Sequence, residues 1–243
     1  MPYLGWILAV LLLIVQGCAF SEAARDSFAV VKHFTLGEYY LDARRYREGR
    51  DRFQDEVAAR PADHRARYYL GRFQLAEGQR AEALSQFREA VRLAPDKADY
   101  LFWQGVAQGA SGMPAEERRS YQAAIRLDVR HERAWTYLGH NYLESGERAA
   151  ALMSYDQALQ ITPDNPQALY NRAAILQQQK QPAKAREAWR NYLEKVPMGA
   201  LAIDAVRQLN ALGDFSYRNH PIGRRMVPLP LPRFMGDTAE LDG

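Results

Sequence analysis

Between residues 30 and 197 apolar side chains recur at helical spacing, and that pattern itself repeats every 34 residues. Pro61, Pro95, Pro163 and Pro197 lie 34, 68 and 34 residues apart, and Val129 stands where the missing proline would fall. Small residues keep the same interval at Gly37, Gly71, Gly105, Gly139 and Ala173. Aromatic residues keep it at Phe53, Phe87, Tyr121, Tyr155 and Trp189. Three residue classes held in one register define five units: 30–63, 64–97, 98–131, 132–165 and 166–197.

Each unit predicts two short amphipathic helices. In the fourth, Trp135, Leu138, Gly139 and Tyr142 share a face of a helix over 133–145, which Gly146 ends. Ala151, Leu152, Tyr155, Ala158 and Leu159 then share a face of a second helix over 148–160. Thr162-Pro163-Asp164-Asn165 closes the unit: proline cannot continue a helix, and Asp or Asn caps the next. The small residues at 139 and 151 allow the paired helices to approach, and the aromatics fill the space beside them.

This pattern resembles the tetratricopeptide repeat (TPR), W-x2-L-G-x2-Y…A-x3-F…P over about 34 residues. The fourth unit carries it through Trp135, Leu138, Gly139, Tyr142, Ala151, Tyr155, Ala158 and Pro163, and the second through Leu70, Gly71, Ala83, Phe87, Ala90 and Pro95. The fifth keeps Ala173, Ala185, Trp189 and Pro197. The third departs at Gln104, Glu117 and Val129, and the first has Gly49 and Glu56 where alanine is usual. The resemblance implies an all-α, right-handed superhelical solenoid of about five helix pairs, with the first helix of each pair lining the concave face.

Two segments flank the repeats. Residues 198–212 predict one more helix, with Leu201, Ala205, Val206, Leu209 and Leu212 in a stripe suited to capping the open end. Residues 213–243 gather Pro221, Pro228, Pro230 and Pro232, and 224–232 suits extended polyproline II. A disordered end, a strap over the solenoid and a partner-binding segment all remain open for this tail.

The first twenty residues contain no charged side chain, and Leu4–Val15 is an apolar run of signal-peptide size. The run ends in Val15-Gln16-Gly17-Cys18, which resembles a bacterial lipobox with Cys18 as the lipidated residue. That reading makes 1–17 a signal peptide and 18–29 a short linker. An uncleaved membrane anchor and a plain cleaved signal are the alternatives.

Composition narrows the chemistry. Of 243 residues, 47% are hydrophobic and 25% charged, enough apolar content for a core. A net charge of +3 gives no argument for nucleic acid, and one cysteine excludes a disulfide framework within the chain. The five histidines, at 33, 64, 131, 140 and 220, lack metal-ligand spacing. No nucleophile elbow or phosphate loop occurs. No catalytic residue, metal or cofactor is therefore expected, and the chain reads as a non-enzyme.

Folding the register onto the implied solenoid predicts the groove. The fifth and sixth places of each unit give Phe34 and Thr35, Tyr68 and Tyr69, Phe102 and Trp103, Thr136 and Tyr137, and Tyr170 and Asn171. The second and ninth places add Arg65, Arg72, Asp99, Arg133 and His140, with Glu38 at the edge. The candidate partner-binding residues are Tyr69, Arg72, Trp103, Arg133, Tyr137, His140 and Asn171. Tyr69, Trp103 and Tyr137 are expected to face the open groove, whereas Tyr68, Phe102 and Tyr170 divide evenly between groove and repeat interface. Rings with arginines suit an extended peptide or an amphipathic helix. The expected function is a membrane-tethered adaptor for a protein or peptide partner. Resemblance to bacterial envelope TPR lipoproteins places it on the periplasmic side, in envelope-complex assembly. The alternative is a permanent structural subunit of a secretion, pilus or cell-wall machine, packed through its convex face or tail.

Overall fold

The computed structural model describes residues 35–217. The leader with Cys18, and the proline-rich tail from residue 218 onward, lie outside the described residues. Within them the chain is all-α. The first helix is described over 35–42 (α1). It is followed by α2 (Tyr46–Ala59), α3 (His64–Ala76), α4 (Arg80–Leu93), α5 (Ala98–Ala110), α6 (Pro114–Leu127), α7 (Glu132–Glu144), α8 (Arg148–Ile161), α9 (Pro166–Gln178), α10 (Pro182–Lys195) and α11 (Ala200–Ala211). Helices pair within a unit, each second helix also packs on the next first helix, and first helices touch across units. This is a superhelical solenoid in which every contact is made between neighbours. No helix among the described residues is long and apolar enough to cross a membrane.

Local chemistry sets the boundaries. Asp63 caps α3 by accepting from the Arg65 and Ala66 amides, and Asn165 caps α9 by accepting from Ala168. Pro114, Pro166 and Pro182 occupy first helical positions, where the missing N–H costs nothing. The bend inside each pair is a left-handed residue that recurs in register: Arg44, Gly78, Gly112, Gly146 and Lys180 all have positive φ. Glycine suits that conformation at three of the five; the arginine and the lysine adopt it against steric preference.

The core is built from the aromatic place of the second helix. Phe53, Phe87, Tyr121, Tyr155 and Trp189 are all essentially inaccessible to solvent. In three units the glycine of the first helix makes room for that ring. A Cβ would lie 2.9 Å from Phe87 at Gly71, 2.5 Å from Tyr121 at Gly105 and 2.7 Å from Tyr155 at Gly139.

The last helix continues this register. Tyr170 Oη donates to Asp204 Oδ2 at 2.6 Å, a step of 34 residues, and Gln177 Nε2 donates to Gln208 Oε1 at 2.8 Å. Ala202, Ala205, Val206 and Leu209 are buried against the fifth unit, with Leu201 and Leu212 partly so. The helix is therefore placed as the first helix of a further unit. At the place where other units carry a small residue it has Arg207, whose Nη1 donates to Asp204 Oδ1 at 3.0 Å. After α11 the chain turns at Gly213 and is held by Arg190, whose Nε donates to Asp214 Oδ2 at 2.7 Å.

Candidate partner-binding groove

First helices supply the groove, and its centre is Trp103 on α5. The Arg72 guanidinium of α3 stands 4.8 Å from the indole centroid, and that of Arg133 on α7 stands 5.8 Å from it. Arg133 also lies 4.9 Å over Phe102, and Arg72 lies 5.6 Å from Tyr68. Cation–π contacts of this kind hold both heads along the ring faces.

Each arginine is tied to an acid one unit earlier at the same register place. Arg72 Nη1 donates to Glu38 Oε1 at 2.6 Å, and Arg133 Nη2 donates to Asp99 Oδ1 at 3.0 Å. Asp99 is shared. His131 caps α7 by accepting from the Ala134 amide at Nδ1, which leaves the proton on Nε2, 3.3 Å from Asp99 Oδ1. His131 first, and then Arg133, hold the Asp99 carboxyl below the usual carboxylate range. The second place of the second unit, Arg65, has no ion-pair partner among the described residues.

A second cluster lies beyond. Tyr137 packs edge-on to Phe102 at 5.2 Å and is stacked with His140 at 5.8 Å. The His140 ring also meets Tyr155 at 5.6 Å and lies 3.0 Å from Asn171 Nδ2. An amide nitrogen only donates, so Nε2 of His140 accepts and its proton sits on Nδ1. Burial pushes the His140 pKa down to about 4, so the ring is neutral near pH 7 and brings no cation to the groove.

The candidates therefore separate. Arg133 alone is exposed, at 48% of its side chain, while Trp103, Tyr137, His140 and Arg72 are half-buried, Arg72 the more deeply at 15%. Asn171 is buried and acts through His140. Tyr69 is a correction: expected to face the groove, it is only 5% exposed. Its ring occupies the space above Gly37, where a Cβ would lie 2.3 Å away, and Phe73 occupies the same kind of space above Gly49. Its Oη donates to Glu38 Oε1 at 3.1 Å. The first unit thus has a glycine on both helices, and two rings of the next unit sink into it. Gly49 in place of the usual alanine is the trace of this in the sequence. Among the evenly divided residues, Phe102 is buried, Tyr170 is half-buried through its bond to Asp204, and Tyr68 is half-buried, stacked on Tyr100 at 4.8 Å.

Besides His131 Nε2, which has only the Asp99 carboxylate beside it, two donors in this region have no acceptor. Trp103 Nε1 and Arg72 Nε are both buried and unbonded. Among the described residues no group of His, Cys, Asp and Glu is placed to hold a metal ion.

Comparison with known proteins gives the same architecture. No curated protein matches the sequence. Among solved structures, Pseudomonas aeruginosa pilF is 17% identical and aligns over 80% of this chain and 93% of its own, with a TM-score of 0.67. PilW, described as a widely conserved type IV pilus biogenesis factor, is 19% identical over 73% and 84%, at 0.64. YrrB, described as a TPR protein with an unusual peptide-binding site, is 17% identical over 72% and 90%, at 0.57. These likenesses establish the fold. Family models described as tetratricopeptide repeat match residues 34–79, 74–129 and 167–197, and one described as TPR repeat matches 139–180. With matches over 34–129 and 139–197, and with five units in one register, the chain belongs to the tetratricopeptide-repeat family.

Proposed function

We propose that this protein is an adaptor that binds a protein or peptide partner in the groove of the second to fourth units, tethered to a membrane through its leader. The observation that carries the reading is Trp103, half-buried on a first helix between the guanidiniums of Arg72 and Arg133. A large ring flanked by cations supplies apolar area and hydrogen-bond donors in one place, which is what an extended chain needs from a groove. YrrB, described by its peptide-binding site, and the pilus factor PilW have the same fold, which supports a protein partner and a role in envelope-complex assembly. The lipobox-like Val15-Gln16-Gly17-Cys18 supports the tether, with the groove on the periplasmic side.

The test is a cross-linked pull-down from native membranes with wild type and a Trp103→Ala/Arg133→Gln variant of unchanged helicity. Loss of one partner from the variant is expected. Recovery of the same partners by both proteins would overturn groove binding. Incorporation of labelled palmitate into wild type but not Cys18→Ala tests the tether separately, and equal labelling of both would remove it.

A further inference from the structure

The donors without acceptors say which chemistry the groove is built to receive, an inference that rests on the proposed groove reading. Trp103 Nε1 and Arg72 Nε are buried without a bond, and the Arg72 head lies 4.8 Å from the Trp103 ring. The two side chains that carry the orphaned N–H groups are thus in contact. A buried unmade donor costs roughly 1–3 kcal/mol, so such a pair calls for a specific occupant.

The acids nearby are engaged elsewhere. Glu38 Oε1 accepts from Arg72 Nη1 and from Tyr69 Oη, and Asp99 Oδ1 faces Arg133 and His131. His140 is neutral. Arg72 and Arg133 are matched one to one by Glu38 and Asp99, so the call for an acceptor comes from the two unmade donors and not from excess charge. Arg133 is also easily recruited. It and Asp99 are about half-exposed, and ion pairs at that exposure contribute little.

We infer that the Arg72–Trp103–Arg133 cluster is a subsite for the side-chain carboxylate of an Asp or Glu within an extended peptide segment. The carboxylate takes its hydrogen bonds from the Trp103 indole and the Arg72 guanidinium, and Arg133 leaves Asp99 to face it. Residues on either side of the acid lie along Tyr68 and Tyr137, which flank the cluster in the neighbouring units. An internal acid fits better than a chain end, because rings continue on both sides. Neither orphaned donor touches solvent in the unliganded groove, so the Arg72 head turns to admit the carboxylate. An ion pair to Glu38 and the ring faces of Tyr68 and Trp103 hold that head in place, and the turn exchanges the first for the incoming carboxylate.

The test uses the full chain in detergent against a displayed library of random twelve-residue peptides. Enriched peptides are expected to carry Asp or Glu next to an aromatic or a proline, and changing that acid to Asn or Gln is expected to weaken binding about tenfold. On Arg72→Gln the same change should have no further effect, and Trp103→Phe, which keeps a ring but removes the N–H, should lose part of the preference. Peptides that bind through Trp103, shown by loss on Trp103→Ala, but have no acid preference would overturn the carboxylate subsite and leave the groove reading standing. Enriched peptides indifferent to Trp103→Ala, or none enriched, would overturn both.

Discussion

Gly139 on α7 lies so close to Tyr155 on α8 that a Cβ on the glycine would sit 2.7 Å from Cε1 of the ring. The contact decides the spacing of the two helices in the fourth unit, and the tyrosine is fully buried. Two effects oppose each other in a Gly139→Ala variant. Alanine is the better helix former by about 1 kcal/mol, whereas overpacking a core costs about 1–3 kcal/mol. Overpacking should win, with a net loss of about 1–2 kcal/mol in urea unfolding followed by circular dichroism. A variant as stable as wild type would show that the helices separate freely.

Lys180 makes the opposite case. It holds a left-handed conformation, φ +56°, at the register place filled by Gly78, Gly112 and Gly146. A non-glycine residue there costs about 1–2 kcal/mol, partly offset by the greater freedom of glycine in the unfolded chain. Lys180→Gly is expected to stabilise by about 0.5–1 kcal/mol, and Gly146→Ala to destabilise by about 1 kcal/mol. Nothing lies within 4 Å of a Cβ at Gly146, so the latter change reports backbone strain alone.

His140 predicts a pH dependence. Burial pulls its pKa from 6.5 to about 4, so between those values the unfolded chain binds a proton that the folded chain refuses. Stability is therefore full above about pH 6.5 and declines as pH falls toward 4, by on the order of 2–3 kcal/mol from this group. His140→Gln keeps a polar group near Asn171 and removes the titration. The difference between the two stability–pH curves isolates His140 from the carboxylates; superimposable curves would remove the assignment.

Tyr69 and Arg133 should behave as different kinds of residue. Tyr69→Ala empties the space above Gly37 and orphans a bond to Glu38, so a loss of about 3–5 kcal/mol is expected. Arg133→Gln breaks an ion pair between side chains 48% and 56% exposed and should cost less than about 1 kcal/mol. The thermal melting of the two variants separates core from groove. Equal losses would mean that Arg133 is structural.

What the sequence made readable was whatever repeats. The small place of the first helix and the aromatic place of the second recur because one packs on the other in the same unit, as at Gly71 with Phe87. The ties between Glu38 and Arg72 and between Asp99 and Arg133 are also visible in principle, as opposite charges at one register place in consecutive units. Tyr69 escaped because a ring at the sixth place can turn outward or back onto the previous unit. The choice is made by Gly37, which is distant in sequence from the ring that uses it. The neutrality of His140 escaped for a similar reason: its surroundings come from the same helix, α8 and α9 together.

Arg207 has a consequence for how such a chain ends. In every complete unit the corresponding position is glycine or alanine, and in the second to fourth units a ring of the paired second helix lies across it. A long charged side chain there denies the close approach on which the next helix depends, while the other face of α11 still docks in register through Asp204 and Gln208. Among the described residues the small-residue rule of the array is thereby broken at one position, on its last helix. Units could be duplicated or deleted upstream without disturbing that position, so the number of rungs offered to a partner can change in evolution while each rung keeps its chemistry.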